Sequence, residues 1–407
     1  MLFFKECKKI LRSLTFWIYC IIVILMFFSQ YYADANNEAY PDGYKIVMDE
    51  EKIMNGALCG LLGEYSANYY VCYPYGFYKS VSLKEKDKHK IEEYLMELTD
   101  TDSEGLTKIL KQGEQYTVVT GMVEHTMYEF KNMNVSSELQ YSRFKEIMEN
   151  VDDILGGGSS YQIEELAGNY SFQEMTPEEE AAEYDLFISN DKVTGALARL
   201  FSDYLGIDLA FLPVFVAAAL VAADRRSKAS DNIYSRKISS CRLVFTRYSA
   251  LIVTMFVPIF ITMIIALIQA IHIYNDKSIN VLSMFAMPSF WLIPNIMTAS
   301  AVGMFATEMF SAGAAIIIQA AWSFRSLMSE PLAGSIGKFD LICRHNTLFE
   351  RDSFMAHYND FVFNRIFYII LSIGIIGLTA VVFEMKRRGV FNGIRLFGKG
   401  GIFGRKA

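Results

Sequence analysis

At 407 residues, with 52% hydrophobic and 14% aromatic residues and a mean hydropathy of +0.22, the chain is too apolar for an ordinary soluble protein. Its net charge of −7 averages two opposite populations: 33 acidic and 14 basic residues lie between Ala33 and Leu205, against 12 acidic and 24 basic residues elsewhere. That division excludes a single water-soluble globule and a uniformly basic nucleic-acid binder, and it sorts the chain into compartments.

Residues 1–13 read as an amphipathic elbow helix. Phe3, Cys7, Ile10, Leu11 and Leu14 fall on one helical face, with Lys5, Lys8, Lys9 and Arg12 around the other. Residues 14–33, which contain WIYCIIVILMFFSQYY, predict transmembrane helix 1, because roughly 20 apolar residues cross a hydrocarbon core. Ala33-Asp34-Ala35 is similar to a signal-peptide cleavage site, but the length of the apolar run, Trp17, Tyr19 and the Tyr31-Tyr32 pair favour a retained anchor.

Residues 34–204 form an acidic domain in which apolar and aromatic residues recur throughout, as in YYVCYPYGFY, so it is expected to fold. It reads as mainly helical, with α+β as the alternative. KHKIEEYLMELT (residues 88–99) and the run ending in Gly156, Gly157 and Gly158 carry helical signatures. A third helix is expected after Thr176, with Pro177 in its first turn, and YTVVTGMVEHTMYEF reads as strand.

Five further apolar segments predict helices 2 (205–223), 3 (248–274), 4 (281–307), 5 (309–328) and 6 (365–385), since an apolar run in lipid must satisfy its own backbone hydrogen bonds. The fold class is therefore an α-helical polytopic membrane protein with six transmembrane helices and a large extracytoplasmic domain between the first two. Lys and Arg cluster before helix 1, in the 224–247 loop and in the 386–407 tail. Six crossings place all three clusters on the cytoplasmic side of the cell membrane, with both termini inside. The acidic domain and the 329–364 loop then lie outside.

Chemistry-bearing motifs are missing. There is no G-x-x-x-x-G-K-[ST], no H-E-x-x-H and no G-x-S-x-G, so no catalytic, cofactor or metal residue is assigned and no enzyme is expected. Cys59 and Cys72 either close a small disulfide loop in an oxidising compartment or stand as two buried thiols. Asp208 reads as an interfacial charge near the outer end of helix 2. An ion-coupled transporter would want carboxylates in mid-span, and the sequence offers none within Ser13–Ala33, Tyr248–Asn275 or Ile366–Phe383.

The outline resembles the membrane (permease) subunits of type-2 ATP-binding-cassette (ABC) exporters. The elbow LFFKECKKILRSL, the loop phrase IYSRKISSCRLVFTRYSA, the proline-containing PSFWLIPNIMTASAVGMF and the closing NRIFYIILSIGIIGLTAVVFEMKRRG carry the likeness. The large acidic block departs from the simple members. The resemblance implies an exporter subunit moving an antimicrobial peptide, a drug or a lipid-like compound. ATP would be hydrolysed on a separate ABC ATPase subunit, with no cofactor on this chain. A second permease chain, identical or related, and membrane lipid are the other implied partners. The resemblance also makes Arg225, Arg226, Lys228, Arg236 and Lys237 contacts to the ATPase, with Glu308, in the turn between helices 4 and 5, as a second coupling point. Gly303, Ala306, Ser311, Ala312, Gly313 and Ala314 read as close helix packing. The alternative function is a membrane-anchored sensor whose extracytoplasmic domain binds a ligand.

Overall fold

The computed structural model describes residues 2–41, 43–74, 78–120, 123–163, 165–226, 237–328, 337–345, 347–349 and 351–391. Two units emerge, one of residues 42–180 and one of residues 1–41 with 181–407. In the second unit, helix α1 (Leu2–Leu11) leads into α2 (Leu14–Met26), which runs on through a π-helical turn (Phe27–Tyr31) and α3 (Tyr32–Asp34). Ser13 breaks α1 from α2: its hydroxyl caps the new helix by accepting from the Phe16 amide at 3.3 Å, and the Trp17 indole donates back to the Leu11 carbonyl at 2.9 Å. The break between α1 and α2 is thus built by one cap and one tether.

The 42–180 unit follows in the order β1 (Tyr44–Ile46), α4 (Glu50–Ala67), β2 (Tyr70–Cys72), β3 (Lys79–Val81), α5 (Glu85–Thr99), α6 (Ser103–Leu110), β4 (Glu114–Thr120), β5 (Val123–Glu129), α7 (Tyr141–Leu155), α8 (Leu166–Tyr170) and β6 (Phe172–Glu174). Apolar residues at helical spacing make its core: Leu58, Leu61 and Leu62 of α4 meet Ile91, Leu95 and Leu98 of α5 and Phe144, Ile147 and Val151 of α7. The strands pair antiparallel as β1 with β6, β2 with β3 and β4 with β5; the last is a hairpin in register from Glu114↔Glu129 to Thr120↔Val123. The expected strand is this hairpin. The glycine stop of α7 is also present, with positive φ at Gly156, Gly157 and Gly158. At Gly158 an added Cβ would lie 2.6 Å from the Pro74 nitrogen, so the glycine also admits a neighbouring chain.

This unit ends at Glu180, within α9 (Pro177–Ser189), not at residue 204 as expected, and it begins at Asp42. Thr176 and Glu179 start α9 with a reciprocal box: each side chain accepts from the other's amide. The remaining elements are α10 (Thr194–Phe211), α11 (Pro213–Arg226), α12 (Ser240–Ile273), α13 (Ser283–Met309), α14 (Ala312–Met328), α15 (Arg351–Ala356) and α16 (Tyr358–Arg387).

Among the described residues, five helices or runs of helices are long and apolar enough to cross a membrane: Leu14–Asp34, Thr194–Asp224, Ser240–Ile273, Ser283–Met309 and Tyr358–Arg387. The expected fifth span, α14, has 17 residues and is shorter than these. Helix α13 is the axis of the group, packing against α10, α11, α12, α14 and α16, and 78% of its apolar stretch is buried. Gly303 permits the closest approach, since a Cβ there would come within 2.8 Å of Ala217 on α11. Exposed aliphatic rows on α12 (Val253, Val257, Ile261, Ile264, Ile268) and α16 (Ile366, Ile370, Ile373) suit a lipid surround.

Candidate functional site: a charge clamp at one end of the helices

Two isolated acids sit among the basic residues of the elbow and of the loop stem, Glu6 and Asp224, and these are the ones that pair. Asp224, in the last turn of α11, receives Lys9 Nζ at 2.5 Å on one carboxylate oxygen and Arg247 Nη2 at 2.7 Å on the other. Arg247, two turns into α12, also faces Glu6 at 3.5 Å. Glu6 and Arg247 are 8% and 6% exposed, so solvent screens this set weakly. The helical periodicity places Glu6 on the same face as buried Ile10, where the sequence reading had only apolar residues.

A second knot lies at the ends of α13 and α16. Lys386 Nζ pairs with Glu308 at 2.8 Å and also meets the Glu308 carbonyl. Glu384 accepts from the Ser240 hydroxyl at 2.5 Å and from Arg388 Nε at 2.8 Å, and Arg387 Nη1 donates to the Ile238 carbonyl at 2.7 Å. These contacts bring α1, the start of α12 and the ends of α11, α13 and α16 to one end of the unit.

The proposed coupling residues fall unevenly on this arrangement. Arg225 and Arg226 close α11, with side chains outside the described residues, and Lys228 and Arg236 lie outside the described residues altogether. Lys237 is exposed on the bend before α12. Glu308 is in the final turn of α13, not in the connecting turn, and it points inward to Lys386 rather than out to water. Cys59 and Cys72 form no disulfide with each other. Cys59 lies against the Met133 backbone, whereas buried Cys72 faces Glu64, Asp152 and Lys79. Burial raises both thiols above the usual range, to about 11 at Cys72.

The opposite end holds its own charges. Arg199 makes a bidentate pair with Asp191 at 2.8 and 2.7 Å, Arg351 joins Asp191 at 3.3 Å, and Arg344 reaches Asp203 at 3.5 Å. Arg365 is wholly buried. Its donors go to the Trp291 and Leu341 carbonyls, Asn295 Oδ1, Cys343 Sγ and Asn364 Oδ1, and no carboxylate among the described residues pairs with it.

Asp208 differs from its sequence reading. Because α10 starts at Thr194 instead of residue 205, Asp208 stands near the middle of the Thr194–Asp224 run, not at its end. Its Oδ2 is buried and unbonded, and no cation among the described residues pairs with it.

The helices, their apolar surfaces and the charged knots at their ends define a mostly helical, membrane-embedded protein. Comparison with family models, with curated proteins and with solved structures finds no match to this chain.

Proposed function

We propose that the chain is the membrane-spanning permease subunit of an ABC exporter, with α14 as a short sixth crossing, ATP hydrolysed on a separate subunit and the acidic unit outside the cell. The observation that carries this reading is the clamp of Glu6, Lys9, Asp224 and Arg247. A loop pushed by a motor protein transmits force only if its two stems move together. Asp224 and Arg247 join those stems, and Lys9 and Glu6 tie the elbow to both. Breaking one member of such a pair costs about 3–5 kcal/mol, because a buried charge is left uncompensated. The 42–180 unit, with 27 acidic and 12 basic residues, favours cationic partners, and an antimicrobial peptide is the substrate class that matches.

The test is copurification of the full chain with its ATPase, followed by a charge exchange. Arg247→Asp is expected to abolish substrate-stimulated ATP hydrolysis, and Asp224→Arg with Arg247→Asp to recover part of it. Absence of any ATPase, or a double variant no better than the single one, would refute the reading.

Asp208 favours a second reading, an ion-coupled transporter, since a carboxylate in mid-span is costly and is usually kept for function. Asp208→Asn separates the two. In an ion-coupled carrier it eliminates pH-gradient-driven uptake into vesicles; in an ATP-driven exporter transport persists and the protein gains stability.

A further inference from the structure

A cavity of 680 Å³ opens between the start of α12 and the end of α16, lined by Ser239, Ser240 and Cys241 on one side and by Val381, Met385 and Arg388 on the other. Its character changes along its length. On α16, Leu378, Val381, Met385 and Arg388 recur at helical spacing, so one stripe passes from exposed aliphatic side chains to an exposed guanidinium. From Leu378 to Arg388 the helix rises about 15 Å, which matches one leaflet of a roughly 30 Å hydrocarbon core.

The mouth is cationic. Glu384 stands between Arg387 at 4.0 Å and Arg388 at 2.8 Å, so two guanidiniums meet one carboxylate, and exposed Lys237 and Arg242 add charge of the same sign nearby. Ser239 caps α12 by accepting from the Arg242 amide, which leaves its hydroxyl proton available to an acceptor in the cavity. A soluble anion would suit the mouth but not the apolar wall. An uncharged hydrocarbon chain would suit the wall but not the mouth. A ligand that complements both has an anionic head and an acyl tail.

We infer that this groove seats one anionic phospholipid, its phosphate at Arg388 and the Ser239 hydroxyl and an acyl chain along Leu378, Val381 and Met385. The lipid thereby joins α12 to α16 at the end where Ser240 already holds Glu384. This holds whether or not the chain serves an ATPase.

Native mass spectrometry of the full chain in detergent, titrated with phosphatidylglycerol or phosphatidylcholine, reads the bound lipid directly. Phosphatidylglycerol is expected to be retained in preference. Arg388→Gln should weaken it about fivefold, the effect of one basic residue at an anionic lipid surface. Val381→Trp, which fills the groove without touching the charges, should weaken it as well, and Arg388→Lys should largely keep it. Equal retention of the two lipids, or phosphatidylglycerol binding indifferent to both Arg388→Gln and Val381→Trp, overturns the inference. So does displacement of the lipid by glycerol phosphate, which would reduce the groove to an anion site. So too does a Val381→Cys cross-link that captures a second protein chain in place of lipid.

Discussion

Arg365 binds two backbone carbonyls, two asparagine oxygens and a thiol at once, and so pins residues 341–343 and α13 to α16. Only a planar fork of donors can address so many directions. Replacing it with Lys leaves several of these acceptors unpaired in a dry site, at a cost of about 3 kcal/mol. The expected result is a clear fall in the apparent melting temperature of the solubilised chain, followed through the fluorescence of buried Trp291. A melting curve like that of the parent would mean the network carries no stability. At this scale the sequence was partly legible. Glu6 and Asp224 could have been found as lone acids in basic surroundings. Arg365 could not, because an arginine at the first residue of an expected span is indistinguishable from an ordinary interfacial anchor.

Among elements, five of the six expected apolar segments coincide with helices long and apolar enough to cross a membrane among the described residues, since hydropathy over such lengths reflects the environment directly. Boundaries failed where charges are paired at a distance. Arg199 and Asp203 made residues 194–204 read as polar, yet Asp191 and Arg344 neutralise them from other parts of the chain, and α10 runs straight through. That extension is also what moved Asp208 to mid-span. Small residues were readable in part: Gly303, Ala306 and Ala314 are buried in close packing, whereas Ser311 and Gly313 are exposed. Gly303→Leu is expected to force α13 away from α11, costing about 1–3 kcal/mol of overpacking. Purified variant that matches the parent in hydrogen exchange over residues 283–309 would show that the contact yields freely.

For the molecule as a whole, the two units should answer pH with opposite signs. In the 42–180 unit, burial lifts the Glu64 carboxyl from 4.5 to about 7, against hydrogen bonds from the Tyr161 hydroxyl, at 2.7 Å, and the Val71 backbone. The folded unit therefore keeps a proton that the unfolded chain releases. This stabilisation is complete below pH 4.5 and is lost as pH rises to about 7. In the other unit, burial, aided by the charge of Arg199, depresses His345 from 6.5 to about 4. Its contribution is complete above pH 6.5 and is lost as pH falls to about 4. Each swing is on the order of 3 kcal/mol, a pKa unit being worth about 1.4. Hydrogen exchange on the full chain, corrected for intrinsic rates, should show acid protecting α4 while loosening residues 337–345. Glu64→Gln should flatten only the first response and His345→Gln only the second. Acid that loosens α4 would contradict the first assignment, and acid that protects residues 337–345 the second.

The bond between Lys9 and Asp224 closes a stretch of 215 residues, and this has a bearing on biosynthesis. At about 5–20 residues per second, the ribosome takes on the order of ten to forty seconds between making the lysine and making its acid. Throughout that interval α1 lacks the acid that Lys9 pairs with, and the set is complete only once Arg247 has also left the exit tunnel. A nascent chain halted before that point carries α1 unfastened, so the last step in fastening α1 belongs to α12 rather than to α2.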